Sequence, residues 1–441
     1  MAEQKGASTP SGAGMTLRGA VFLGIGAMVG AGIFALLGEA GAIAGAAVWV
    51  SFLIAGLISL TLGYAMARLG THYPSSGGLI TYLIQGFGNG RLVGIAAWLG
   101  YVTAIVVVGA MVAVSFGDYA AAIFTGSDPG TAGSKVFASA LLVLGAVLCV
   151  VGPRAVDRVQ SLIVIGLLVV FAVFIVATLV SLNPDLLAPS GYPPARDILS
   201  AATITFFAYL GFAVISFAAG DLARPQRDLP RAMYLALGAT MLLYIAISLG
   251  VFGTLTAAEV VHFGPTAIAE AARPTLGDAG YAAMAIAALL ATASSVTATL
   301  YASPGLTGAL AEAGQFPTIF GAGSRLGRHG GLIITTVLTL LFVNVFDLGA
   351  LAAIGSAVSL AVFLLVGVAA LRLRRTIGAH AWILVLSLLG SGVVLAFFTV
   401  DTFQNDRKAF WTMLALPFIA AALDAAWKRA RRPPALAGTS P

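Results

Sequence analysis

The chain has 441 residues, of which 59% are hydrophobic and only 9% charged, too little polar surface to cover soluble domains of that length in water. The net charge of +6 ends in the basic run Lys428 to Arg432, which suits anchoring to lipid headgroups better than a nucleic-acid patch. The single cysteine, Cys149, sits in an apolar run, so disulfides and cysteine-built metal sites within one chain are excluded.

Cut at its charged and proline-rich interruptions, the chain falls into 12 apolar stretches: 17–46, 48–69, 91–122, 135–151, 157–182, 197–222, 232–254, 279–311, 331–348, 349–371, 379–400 and 409–427. About 20 apolar residues suffice to cross roughly 30 Å of hydrocarbon as a helix. A transmembrane barrel needs a polar face that this composition lacks, so the expected fold is an all-α membrane protein of about 12 transmembrane helices. The first apolar stretch is too long for a cleaved signal core and is expected to remain. With the N-terminus in the cytoplasm, 18 of the 23 lysines and arginines fall on the cytoplasmic side, among them Arg18, Arg68, Arg91, Arg154, Arg224, Arg325, Arg328, Arg372 and Lys428. The positive-inside rule then predicts both termini in the cytoplasm. Residues 1–14 and 431–441 read as disordered cytoplasmic tails.

Span 1 carries Gly24, Gly26, Gly30 and Gly32 in GIGAMVGAGIF, each weakening a helix by about 1 kcal/mol. Close packing of helices is one use for such a run. The other is an unwound segment near Gly30 to Gly32 facing a cavity at the bilayer midplane, where amides hold a carboxylate and carbonyls hold a cation. Span 6, FFAYLGFAVISFAAGD, is interrupted again at Gly211, five spans later, with unwinding expected near Tyr209 to Ser216. Matched interruptions predict a 5+5 inverted repeat with helices 1 and 6 broken, 15–182 forming the first half and 197–372 the second, followed by two additional helices over 379–430.

Several runs resemble the amino acid, polyamine and organocation (APC) transporter superfamily, whose members share the fold of the bacterial leucine transporter. They are GAGIF at Gly30 to Phe34, THYPSSGG at Thr71 to Gly78, DLARPQRDLPRA at Asp221 to Ala232 and AEAGQFP at Ala311 to Pro317. Arg224 replaces the usual asparagine of the third run. The resemblance implies a secondary transporter, by symport or antiport, with the substrate carboxylate at the amides of Ala31 and Gly32 beside Gly30. It implies an ammonium at the carbonyls of Met28, Phe207 and Leu210 beside Gly211, and Phe207 closing over the substrate as a gate. Tyr101 and Tyr301 are better read as packing residues, as is usual for tyrosines in apolar helices.

Two departures shape the substrate and the coupling. Ala213 stands where many relatives carry an acid, and Leu167 where several proton-coupled or exchanging relatives carry a lysine. Without a buried carboxylate a cationic side chain lacks a counter-charge, so neutral amino acids or related small amines are expected. Ala291, Ser294 and Ser295 in span 8, with the carbonyls of Gly26 and Val29, resemble the five-oxygen sodium site of sodium-coupled members of this fold. Uncoupled exchange or export of amino acids, and an inorganic-ion cotransporter or channel of the same fold, are the alternatives. An enzyme is disfavoured: there is no HExxH or GxSxG, and His72, His262, His329 and His380 fall at loops or span ends.

Overall fold

The structure, a computed structural model, describes residues 15–75, 77–125, 131–151, 153–321, 329–405 and 407–430. The expected tails 1–14 and 431–441 lie outside the described residues, as do Arg325 and Arg328. In chain order the helices are α1 (Leu17–Ala44), α2 (Val48–His72), α3 (Gly78–Phe87), α4 (Arg91–Tyr101), α5 (Val108–Thr125), α6 (Ala132–Val151), α7 (Pro153–Val180), α8 (Ala195–Phe207) and α9 (Phe212–Phe217). They continue with α10 (Pro225–Phe252), α11 (Ala257–Phe263), α12 (Ala267–Glu312), α13 (Gly330–Val345), α14 (Leu348–Arg372), α15 (Ala381–Asn405) and α16 (Arg407–Ala430).

Among the described residues, 9 helical stretches are long and apolar enough to cross a membrane, the first of them, Leu17–His72, containing both α1 and α2. With α13 and α16 added, twelve spans result, in the expected order. The closely spaced spans 9 and 10 are separated by a helix cap: the Asp347 side chain accepts from the Ala350 amide at 2.8 Å and starts α14. A π-helical stretch, Val102–Val107, joins α4 to α5. The 46 residues of α12 are two helices meeting at Gly277, whose φ of 65° other residues rarely adopt. Pro304, inside α12, has no N–H for the Leu300 carbonyl, and the Ser303 hydroxyl takes that carbonyl at 2.8 Å instead.

On α6 and α7 the outward residues are apolar, with Val136, Leu144, Val151, Leu162, Val169 and Val176 exposed. Acyl chains solvate such a surface and water does not. Lipid tails are as apolar as these side chains, so the bundle must hold together by close packing and interhelical hydrogen bonds. Both converge on α1, which is buried along most of its length and packs against α12, α10, α8 and α7.

The break expected in span 1 is not there: α1 is helical throughout Leu17–Ala44. Its glycines serve packing on three sides. Gly24 lies against Ile215 and Ala236, Gly30 against the Ala291 carbonyl and Ser295, and Gly32 against Tyr244 and Ala208, none with room for a Cβ. Span 6 does break, over Ala208 to Gly211, and Ser216, expected in the unwound part, sits inside α9.

Candidate functional site

The site is built where the interruption of span 6 meets the middle of α1. From Ala208 onward the backbone tightens into bonds to the third preceding residue: Ala208 N–H to Thr205 at 3.1 Å, and Tyr209, Leu210 and Phe212 to Phe206, Phe207 and Tyr209 at 3.0 Å each. Four large rings in seven residues, Phe206, Phe207, Tyr209 and Phe212, are all fully buried and reach different neighbours from this turn. Phe206 and Phe212 approach Phe363 of α14 with ring centroids 6.4 and 5.1 Å away. The Phe207 ring covers Gly355 of α14, where a Cβ would lie 2.7 Å from Cζ. The Tyr209 hydroxyl donates to the Phe52 carbonyl of α2 at 2.9 Å. Gly211 touches α1 directly: a Cβ there would lie 2.5 Å from the Ala27 carbonyl carbon and 2.6 Å from the Met28 nitrogen.

Carbonyls expected to hold an ammonium divide into two groups. Those of Phe207 and Leu210 accept from the chain's own amides, Leu210 N–H at 3.0 Å and Ala213 N–H at 3.1 Å, each with a second lone pair that a further donor can use. Met28 differs in sharing an outside donor with the Ala208 carbonyl across the gap. The Tyr244 hydroxyl, from α10, donates to the Met28 carbonyl at 2.6 Å and also reaches the Ala208 carbonyl at 3.1 Å. Tyr244 is fully buried, its ring 5.2 Å from those of both Phe52 and Tyr209. The amides of Ala31 and Gly32, expected to meet a carboxylate, lie within the continuous α1, where helix geometry directs them to the carbonyls of Ala27 and Met28.

Sequence reading overlooked Tyr244 and Ala208. The available signal was a tyrosine in MLLYIAISLG of span 7, because a buried phenol hydroxyl needs a partner. Tyr101 is a packing residue, as read: it lies among Phe316 and Phe320 at 5.3 and 5.9 Å, with its hydroxyl 2.9 Å from that of Thr335. Trp98 stacks on Phe316 at 4.1 Å. This cluster belongs to the end of the bundle where Met15 pairs with Leu222.

The expected sodium ligands are only partly brought together. The Ser295 hydroxyl donates to the Ala27 carbonyl at 3.0 Å, and the Ala291 carbonyl abuts Gly30. Gly26 and Val29 instead line an apolar crevice with Leu167 and Phe171, too tight for a water molecule. Ser294 presents a buried hydroxyl with no hydrogen-bond partner among the described residues. An open cavity of 610 Å³ lies elsewhere, at the end of the bundle opposite Met15, lined by Glu39, Asp118, Lys135 and Asp347 among others. Its lysine donates to the Asn344 carbonyl at 2.9 Å.

Comparison with known proteins agrees with this architecture. The chain is 36% identical over 397 residues to the inner membrane transport protein YbaT of Escherichia coli (strain K12), covering 90% of this chain and 92% of that one. It is 29% identical to two proteins of Bacillus subtilis (strain 168). One is the methylthioribose transporter, over 80% of this chain and 79% of that one; the other is the serine/threonine exchanger SteT, over 68% of each. Among solved structures, a mutant manganese transporter of Eremococcus coleocola superposes with a TM-score of 0.60 over 94% of this chain and 92% of that one. At 14% identity that likeness shows the fold alone, one like the leucine transporter's. The sequence profile described as amino acid permease matches residues 15–424, and the chain therefore belongs to the amino acid permease family, a transporter family of the APC superfamily.

Proposed function

We propose that this protein is a secondary transporter of neutral amino acids or related small organic amines, working by alternating access between two five-helix halves, 15–182 and 197–372. The observation that carries this reading is the meeting of the Met28 and Ala208 carbonyls around one hydroxyl, at the junction of α1 with the break in span 6. The half-helix end of span 6 at this junction, with two carbonyl oxygens that each accept a donor from outside their own helix, suits an ammonium. Ala213, buried in α9, supports a neutral substrate, since no acid stands at that position to neutralise a cationic side chain. A carboxylate held by the Ala31 and Gly32 amides has to open one turn of α1. The positive-inside rule supports a cytoplasmic side for the Met15 end, and the inner-membrane relative of Escherichia coli supports a bacterial inner membrane as the setting. Uptake into proteoliposomes of labelled amino acids, amines and inorganic ions tests the reading: neutral amino acids should accumulate or exchange, and movement of inorganic ions alone rejects it.

Phe207, fully buried over Gly355, serves as the gate over the substrate. Phe207→Ala should speed exchange and weaken retention; normal affinity with normal exchange rates assigns the ring to packing. Sodium coupling is a second reading, favoured by the unpartnered Ser294 hydroxyl. Replacing external sodium by choline should then collapse uptake, and Ser294→Ala should raise the sodium concentration needed for half-activation. Equal uptake in both salts removes sodium.

A further inference from the structure

We infer that the Tyr244 hydroxyl is a built-in competitor for the substrate ammonium, occupying the space between the Met28 and Ala208 carbonyls and setting how tightly amines are held. This inference rests on the proposed site between α1 and span 6. It begins from a count of hydrogens. A phenol has one O–H to donate, yet two carbonyl oxygens approach it, at 2.6 and 3.1 Å. The nearer bond is well served and the farther one is not. An ammonium carries three N–H donors and a full charge, and charge-assisted hydrogen bonds are about twice as strong as neutral ones. It can bond both carbonyls at once.

The surroundings fix the hydroxyl in that place. The rings of Phe52 and Tyr209 flank the Tyr244 ring. Gly32 lies beside the hydroxyl, with no room for a Cβ between them. An ammonium that takes the two carbonyls must therefore displace the Tyr244 hydroxyl. When the ammonium departs, the hydroxyl returns and restores a partner to carbonyls buried away from water. Binding is weakened by the bonds that have to be broken, and release is speeded by the same amount. A ligand without an ammonium group never contests this position.

The test compares the full-length protein with its Tyr244→Phe variant by calorimetry and by the rate of ligand release. The probes are two matched sets: alanine, propionate and ethylamine; and leucine, isocaproate and isoamylamine. Tyr244→Phe should bind the ammonium-bearing members on the order of tenfold more tightly, as expected for removal of one competing hydrogen bond, and release them correspondingly more slowly. Propionate and isocaproate should be unaffected. Fluorotyrosine at position 244, a stronger donor that keeps the ring, should shift amine binding the opposite way and guards against a folding defect in the phenylalanine variant. Unchanged or weaker amine binding in Tyr244→Phe overturns the inference. If amines bind and respond while the amino acids do not bind, the inference stands and the amino acid reading falls. Amino acids bound equally by both proteins give the reverse. Absence of binding by any ammonium-bearing probe sinks both.

Discussion

Spans 1 and 6 are both apolar, both punctuated by glycine, and meet each other at the candidate site, yet only span 6 breaks. In α1 each tightly packed glycine admits a neighbouring helix: Ala291 and Ser295 at Gly30, Tyr244 and Ala208 at Gly32. The helix survives because its glycines are filled from outside by close contacts that a larger residue would forbid. In span 6 the flanking residues are large. Phe206 and Phe212 reach α14 and Tyr209 reaches α2, where the backbone changes register to bonds with the third preceding residue. A glycine count therefore marks where a helix is weak; whether it opens depends on what its neighbours supply.

The largest effect expected from disturbing this pairing is at Gly211. A Cβ there would strike backbone atoms of Ala27 and Met28 at 2.5 and 2.6 Å, and backbone in a buried helix cannot swing aside as a side-chain tip does. Gly211→Val should destabilise the protein by about 3 kcal/mol, measured by denaturation in mixed detergent micelles, and should abolish transport. Stability within a few tenths of a kcal/mol of the parent would mean that α1 and span 6 are not held at this distance.

Gly32→Val comes next. Its side chain would collide with the Tyr244 ring, with Cβ 2.7 Å from Cζ, and with Ala208 Cβ at 2.8 Å. Here the obstacles are side chains, so the fold should give more easily than at Gly211, while the carbonyl pair loses its geometry. Calorimetry should show loss of amino acid binding with a smaller loss of stability, about 1–2 kcal/mol. Retained binding would separate Gly32 from the site.

The fold was legible because lipid imposes a simple rule: every span needs about 20 apolar residues with its backbone bonded internally, and the charged loops punctuate them. The site was legible in part. Gly211 was visible because glycine interruption is written in the chain itself, and Met28 was carried over from the family resemblance. Tyr244 and Ala208 were not, because their roles arise from contact between α10, α1 and span 6, separated by 36 and 216 residues in sequence. The unwinding expected in span 1 failed for the same reason: Ile215, Tyr244 and Ala291, which pack on its glycines, lie far along the chain. Leu167 was identified as a departure, and its position against Gly26 and Val29 shows that an apolar side chain faces α1 there.

The smallest expected effect isolates helix propensity from packing. Gly238 lies within α10, the helix that carries Tyr244, and a Cβ added there meets nothing within 4 Å. Its φ is not in the left-handed region, so alanine fits the existing backbone. Gly238→Ala should stabilise the protein by roughly 0.5–1 kcal/mol, by reducing the freedom of the unfolded chain and favouring the helix. Binding and transport should be unchanged, because neither Tyr244 nor its two carbonyls move. Set beside Gly32→Val and Gly211→Val, this variant gives the sign of a glycine substitution when no neighbour fills the space. A destabilisation at Gly238 comparable to that at Gly32 would show that helix glycines in this bundle act through something other than contact, and the contrast between α1 and span 6 would lose its explanation.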